Sequence, residues 1–264
     1  MRYEILGPLR IVAGEQEFVS NTRKVEIMLA TLLIRSDQIV PTKHLLAELW
    51  DDSQPKQASA SLYAYVSQLR KLLAQASSRD DTITTRTSGY MLRLGADELD
   101  LHAFQQDLDE GRRQLTAGRA AEARVALERT LSIWRGSPLG GLRGGPIVNS
   151  FTLRLEELRL ECLEMLTDSN LLLHRHREIV SLLYSLIAEY PHHEVFYQRL
   201  MIALYRSQRQ ADALRVYERA CSILTNTLGL RPGRALRQLH QAILLEDKAS
   251  LGEIFPMDSL HTYG

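Results

Sequence analysis

The chain has 264 residues, of which 45% are apolar and 24% charged, and its formal net charge at pH 7 is zero. That length allows two domains with a core each, while the even charge balance argues against a general polyanion binder. No apolar run approaches the ~20 residues of a membrane span, the start Met1-Arg2-Tyr3-Glu4 lacks the basic and apolar regions of a signal peptide, and Cys162 and Cys221 sit inside helical patterns as reduced thiols of a cytoplasmic protein would.

Residues 3–12 and 16–19 are alternating runs bounded by Gly7-Pro8 and Gly14, which predicts an N-terminal hairpin. In 22–36, Val25, Met28, Leu29, Leu32 and Leu33 recur at helical spacing and form one buried face. A shorter helix over 42–50 turns Leu45, Leu46 and Leu49 inward, and Pro41 marks its start. A turn over 51–56 leads to a third helix, 59–73. At 100° per residue, Leu62, Val66, Leu69 and Leu73 fall on one narrow stripe. The opposite face carries Ser61, Tyr63, Ala64, Ser67, Gln68 and Lys71, the small, polar and cationic types that fit against base edges. Residues 82–87 and 90–94 read as a closing hairpin, with Gly89 supplying the turn.

Two helices, a third with a bare polar face and then a hairpin read as a winged helix-turn-helix, which places the third helix in the major groove and the hairpin beside it. The charge distribution agrees. Residues 1–54 carry six Lys/Arg against eight Asp/Glu, whereas 55–93 carry six Lys/Arg against two Asp. The basic excess therefore coincides with the surface that would face phosphates. It is modest, so tight binding calls for two copies or a helper.

At Asp97-Glu98-Leu99-Asp100-Leu101 the sheet ends and a helix capped by Asp100 begins. Strand signals then vanish. Helices are predicted over 101–117, 119–134, 150–174, 176–190, 193–207, 210–228 and 232–246. The string Ala121-Glu122-Ala123-Arg124-Val125-Ala126-Leu127-Glu128-Arg129 matches Ala211-Asp212-Ala213-Leu214-Arg215-Val216-Tyr217-Glu218-Arg219, and Arg177-Glu178-Ile179-Val180 precedes the second copy by 34 residues, the tetratricopeptide interval. The segment 135–149 breaks the period with Gly136, Pro138, Gly140, Gly141, Gly144, Gly145 and Pro146; it lacks the phosphate-loop pattern and reads as a connecting loop. The fold expected is thus an α+β winged helix-turn-helix domain over 1–97, an all-α tetratricopeptide-like domain over 98–246 and a flexible tail over 247–264. His174-Arg175-His176 and His192-His193 have no ligand-spaced partners, and no nucleophile or zinc-hydrolase motif occurs, so no catalytic residue, cofactor or metal is expected.

Several separated strings carry a family likeness: Leu6-Gly7-Pro8-Leu9-Arg10, Leu49-Trp50-Asp51-Asp52 with Pro55, Tyr65-Val66-Ser67-Gln68-Leu69-Arg70-Lys71-Leu72-Leu73 and Thr87-Ser88-Gly89-Tyr90. Together they resemble the Streptomyces antibiotic regulatory proteins, whose first domain is similar to the winged helix-turn-helix of OmpR/PhoB-type response regulators. Trp134-Arg135-Gly136 with Pro138-Leu139, Leu155-Glu156-Glu157-Leu158-Arg159-Leu160, Leu204-Tyr205-Arg206-Ser207 and Leu236-Arg237-Gln238-Leu239-His240 resemble that family's bacterial transcriptional activation domain.

The resemblance implies roles. Ser61, Tyr63, Ala64 and Gln68 would face base edges; Trp50, Tyr65, Ser67 and Arg70 would face phosphates, beside Lys71; Arg86 would enter the minor groove and Tyr90 would touch a wing phosphate. Trp50, Tyr65 and Tyr90 also fit as core aromatics. The resemblance further implies an activator that binds direct repeats near a promoter −35 element as a side-by-side dimer. It would contact bacterial RNA polymerase at its sigma factor and at the C-terminal domain of its α chain, and would serve a secondary-metabolite gene cluster from the cytoplasm. Two other readings stay open: a repressor, and a helical-repeat adaptor for a peptide or small ligand.

Overall fold

The structure, a computed structural model, describes residues 1–50, 53–76 and 82–247. Asp51 and Asp52 of the expected turn, and the expected tail from 248 on, lie outside them. In chain order the N-terminal elements are β1 (Arg2–Glu4), β2 (Arg10–Ala13), β3 (Gln16–Phe18), α1 (Arg23–Ile34), β4 (Val40–Pro41), α2 (Thr42–Trp50), α3 (Ala58–Ala76), β5 (Ile83–Arg86), β6 (Gly89–Leu92) and β7 (Glu98–Leu99). The helices α4 (Asp100–Thr116), α5 (Ala120–Ser132), α6 (Pro146–Leu172), α7 (His176–Glu189), α8 (Glu194–Arg206), α9 (Gln210–Leu228) and α10 (Arg234–Leu244) follow.

The run 3–12 is not one strand of a hairpin. It breaks between Glu4 and Arg10, and the sheet it enters has four strands in the order β3-β2-β1-β7. The pairs β1–β2 and β2–β3 are antiparallel, and β7 adds to β1 in parallel with Tyr3 opposite Leu99. The break has a partner 95 residues away. Asp100 does not serve as the expected cap of its own helix; its buried carboxylate accepts the amides of Ile5 at 2.9 Å and Leu6 at 3.0 Å. Those two amides leave the ladder where the chain turns, and a buried orphan donor would cost about 1–3 kcal/mol.

The chain forms two compact units, residues 1–106 with 130–160, and 107–129 with the residues from 161 on. In the first, α1 packs against α2 and α3 and touches β6, while α3 reaches β2 and β3. The apolar residues Val25, Met28, Leu29, Leu32 and Leu33 are buried, and so are Ile27, Ala30 and Thr31, so α1 is enclosed nearly all round. A second sheet, in the order β4-β6-β5, closes the wing.

The glycine-rich segment is more than a connection. The Arg135 amide donates to the Leu6 carbonyl at 2.7 Å, and the Leu139 amide donates to that of Ile5 at 2.8 Å. Leu139 is buried with φ of 54°, a left-handed backbone that costs a non-glycine residue about 1–2 kcal/mol. Its apolar burial and its bond to Ile5 offset that cost. Nearby, Glu48 of α2 is buried and accepts the amides of Ile147 at 2.5 Å and Val148 at 3.2 Å, capping α6 from another element. The tight fit explains Gly145, where a Cβ would stand 2.7 Å from the Glu48 Cα.

In the second unit α7 packs on α8, α8 on α9, and α10 on both α8 and α9. Three helix turns share one geometry. Gly118, His174 and Gln208 have φ of 73°, 56° and 64°. The next residue's amide reaches back each time: Arg119 to Gln114, Arg175 to Asn170 and Arg209 to Leu204. His174 and Gln208 are 34 residues apart, so the interval read from the sequence is a structural repeat. Ala123 and Ala213 are fully buried where helices approach closely. A bidentate pair, Arg199 to Asp168 with both bonds at 2.6 Å, ties α8 to α6 inside this unit.

Candidate nucleic-acid interface

Helix α3 carries the pattern that the sequence predicts. Leu62, Val66, Leu69 and Leu73 are buried against the bundle. On the other side Ala64, Ser67, Gln68, Arg70 and Lys71 are exposed, Ser61 and Tyr65 half-exposed, and Tyr63 is 66% exposed. The helix runs on to Ala76, three residues past the expected end.

The wing is the antiparallel pair β5–β6, with Arg86 opposite Gly89 and only Thr87 and Ser88 in the turn. Gly89 is not needed for a left-handed turn. Its reason is close approach: a Cβ there would fall on the Val40 carbonyl, 2.8 Å from the carbonyl carbon and 2.9 Å from the Pro41 Cα. The side chain of Arg86 is exposed at the tip. Tyr90 is only 4% exposed, and its backbone pairs with Val40. Burial, with the nearby Tyr63, raises its pKa above the ordinary tyrosine value. The ring is therefore core, as one of the two readings of the sequence has it.

Arg70 is placed between helix and wing. Its Nε and Nη2 donate to the Ile83 carbonyl at 3.3 and 3.0 Å, and Nη2 also donates to the Thr85 hydroxyl at 2.9 Å. A cleft of about 280 Å³, lined by Ser67, Arg70, Lys71, Ala74, Thr82 and Ile83, opens beside this bridge.

Trp50 ends α2 half-buried, its ring 6.0 Å from that of Tyr65. The Lys24 ammonium lies 5.6 Å from the Trp50 ring centre and donates to the Leu49 carbonyl. Lys24 is absent from the sequence-based set. It stands 26 positions before Trp50, and no local pattern links the two.

Two groups of cations in this unit contrast. Arg2, Arg10 and Arg135 converge on the buried Glu4, at 2.7, 2.5 and 3.2 Å. Burial alone would raise Glu4's pKa, but the bond from Arg10 and the charges of Arg135, Arg10 and Arg2 outweigh it and hold the carboxyl below its ordinary range. By contrast Arg23, Lys24, Arg70, Lys71, Arg86 and Arg143 form no ion pair with any described carboxylate. Arg2 and Arg10 on the N-terminal sheet and Arg135 in the segment after α5 are thus neutralised, while Arg23, Lys24, Arg70, Lys71 and Arg86 of the helix-turn-helix and wing, and Arg143 further along that same segment, have no acidic partner among the described residues.

Residues 15–92 match the family described as transcriptional regulatory protein, C terminal, and residues 99–244 match the bacterial transcriptional activator domain. The fold thus defines a winged helix-turn-helix regulator of transcription with a helical repeat. Regulatory protein DnrI of Streptomyces peucetius is 31% identical over 253 residues, 94% of this chain and 93% of DnrI. Regulatory protein AfsR of Streptomyces griseus is 35% identical over 94% of this chain, which spans only 25% of AfsR's length. The structure of Mycobacterium tuberculosis EmbR in complex with a low-affinity phosphopeptide is similar at a TM-score of 0.85 and 31% identity, over 96% of this chain and 68% of that one. The chain belongs to the Streptomyces antibiotic regulatory protein family, an OmpR/PhoB-type winged helix-turn-helix joined to a bacterial transcriptional activator domain. Among the described residues no helix is long and apolar enough to cross a membrane.

Proposed function

We propose that this regulator is a sequence-specific activator that sets α3 into the major groove of promoter DNA and Arg86 of the wing into the minor groove beside it. One observation carries the reading: the face running from Ser61 to Lys71 is uncovered and uncompensated by described acids, although the same helix buries its other side completely. Ser61, Tyr63, Ala64 and Gln68 read bases; Tyr65, Ser67 and Lys71 face phosphates beside Trp50. The target is a pair of direct repeats near a −35 element. Centres about 10–11 base pairs apart would place two copies side by side on one face of the duplex.

Activation follows by linkage. A bound dimer that touches the polymerase sigma factor and the C-terminal domain of the α chain raises the local concentration of polymerase at a weak promoter. The likeness to DnrI and AfsR, named as regulatory proteins of Streptomyces, supports a secondary-metabolite cluster as the regulated target. Selection from a random-sequence duplex library tests the first step, and transcription in vitro with and without the protein tests the second. Recovery of no enriched sequence would sink the reading and favour a helical-repeat adaptor. Enrichment with reduced transcript would make the protein a repressor.

A further inference from the structure

Arg143 sits in the glycine-rich segment after α5, far in sequence from the helix-turn-helix. Three backbone anchors hold the loop that bears it. The Arg23 guanidinium donates to the Arg143 carbonyl at 3.4 Å. The Asn149 side chain donates to the Gly144 carbonyl at 2.8 Å and accepts its amide at 3.3 Å. At Gly144 a Cβ would meet Ile27 of α1 at 3.2 Å, so the loop is pressed onto that helix. The Arg143 side chain itself is exposed, forms no ion pair with a described carboxylate and contributes none of these anchors. Nothing in the packing of the fold requires an arginine there.

The residues that lead from α3 to Arg143 are continuous. The Tyr65 ring stands near Trp50, the Trp50 ring lies under Lys24, Arg23 precedes Lys24 in the first turn of α1, and Arg23 holds the Arg143 loop. All three cations are unpaired among the described residues, whereas Arg2, Arg10 and Arg135 share Glu4. A row of cations that lack acidic partners among the described residues and continue a nucleic-acid surface is what a polyphosphate strand binds, through charge and release of its condensed counterions.

We propose that Arg143, with Arg23 and Lys24, forms a second phosphate-binding row that extends the DNA footprint beyond the helix-turn-helix on the Trp50 side. This rests on the DNA-binding reading above. The partner is the sugar-phosphate backbone, so the row adds affinity without sequence preference. It makes the segment that leads into α6 a part of the DNA-binding surface.

The test uses the full chain and a duplex recovered from the random library. Arg143→Ala is expected to lower the slope of log affinity against log salt by about 0.9, the loss of one phosphate contact, and to leave the selected sequence unchanged. Arg143→Lys should restore the slope. Arg143→Glu should weaken selected and scrambled duplexes by the same factor. Ethylation interference should lose one or two phosphates at the footprint edge on the Trp50 side. A wild-type slope and edge in both Arg143→Ala and Arg143→Glu would overturn this row while leaving α3 as the reader. A wild-type protein that retains no duplex at all would overturn both.

Discussion

Gln68 stands on the exposed face of α3 with a side chain that bonds to none of the described residues. An amide of that kind can donate to and accept from the major-groove edge of adenine at once. Gln68→Ala is expected to cost about 1–3 kcal/mol at one base position and to relax preference there; a selected sequence identical to that of the wild type would remove Gln68 from the readers. Arg86 is different. At the tip of a two-residue turn it offers charge more than pattern, and Arg86→Ala should lower the salt slope by about 1 with no change in preference. An unaltered slope would make it a bystander. Arg70 is expected to act on the wing and not on a phosphate, because two of its three guanidinium nitrogens are already turned to the Ile83 carbonyl and the Thr85 hydroxyl, whereas Arg23 and Lys24 each give one donor to a backbone carbonyl and keep the rest. Arg70→Ala should therefore blur minor-groove protection at the wing while major-groove protection at α3 persists. If instead both persist and the salt slope falls by one, Arg70 is a phosphate ligand.

At the scale of elements, capping across the fold stands out. The first turn of α6 presents unpaired amides, and its own N-terminal residues include Pro146, which has no side-chain acceptor. The acceptor comes from Glu48, two residues before Trp50. One buried carboxylate of α2 therefore holds the start of α6. Replacing it by alanine leaves one buried and one part-buried donor unmet, at a cost of about 2 kcal/mol, or about 4–8 °C in melting temperature for a chain of this size. Glu48→Gln, which keeps one acceptor oxygen but loses the charge, should fall between. Equal melting of all three proteins would show that water replaces the cap. The turns of the second unit show a different economy. Gly118, His174 and Gln208 take the same left-handed backbone in the same hydrogen-bonded turn. The architecture demands the conformation, and the residue identity follows only loosely.

Across the whole molecule, electrostatics divide the labour. The N-terminal sheet consumes its arginines in a network around Glu4, and the pH dependence of stability should reveal it. The folded state holds the Glu4 carboxyl below the ordinary value of 4.5, so it binds fewer protons there than the unfolded chain. Its contribution is complete above that value and is lost as the pH falls through the depressed one. Chemical denaturation of the wild type and of Glu4→Gln should differ most at neutral pH and converge on acidification. A gap that stays constant from pH 7 to pH 3 would mean that Glu4's charge does not support the fold. Asp100 has the opposite sign, since burial raises its pKa despite the amides of Leu6 and Ile5. Its effect favours lower pH, and because the charge of Glu4 helps to raise that pKa, Glu4→Gln relieves Asp100 as well.

What could be read from the chain alone was whatever repeats at short range. The stripe of Leu62, Val66, Leu69 and Leu73 identifies α3 and its bare face, because a helix places every third or fourth residue on one side. The Thr-Arg-Gly-Tyr stretch identifies the wing within a few residues of backbone, and the 34-residue interval identifies the repeats because the same helix pair recurs. Tertiary structure decided the rest. The split of 3–12 into two strands depends on Asp100, the need for glycine at 89 on the Val40 carbonyl, the burial of Tyr90 on its pairing with β4, and the setting of Trp50 on Lys24. Each partner lies tens of residues away at a spacing that does not recur, so no repeat in the sequence points to it. The same holds for Arg143, whose place beside α1 depends on Arg23, 120 residues earlier.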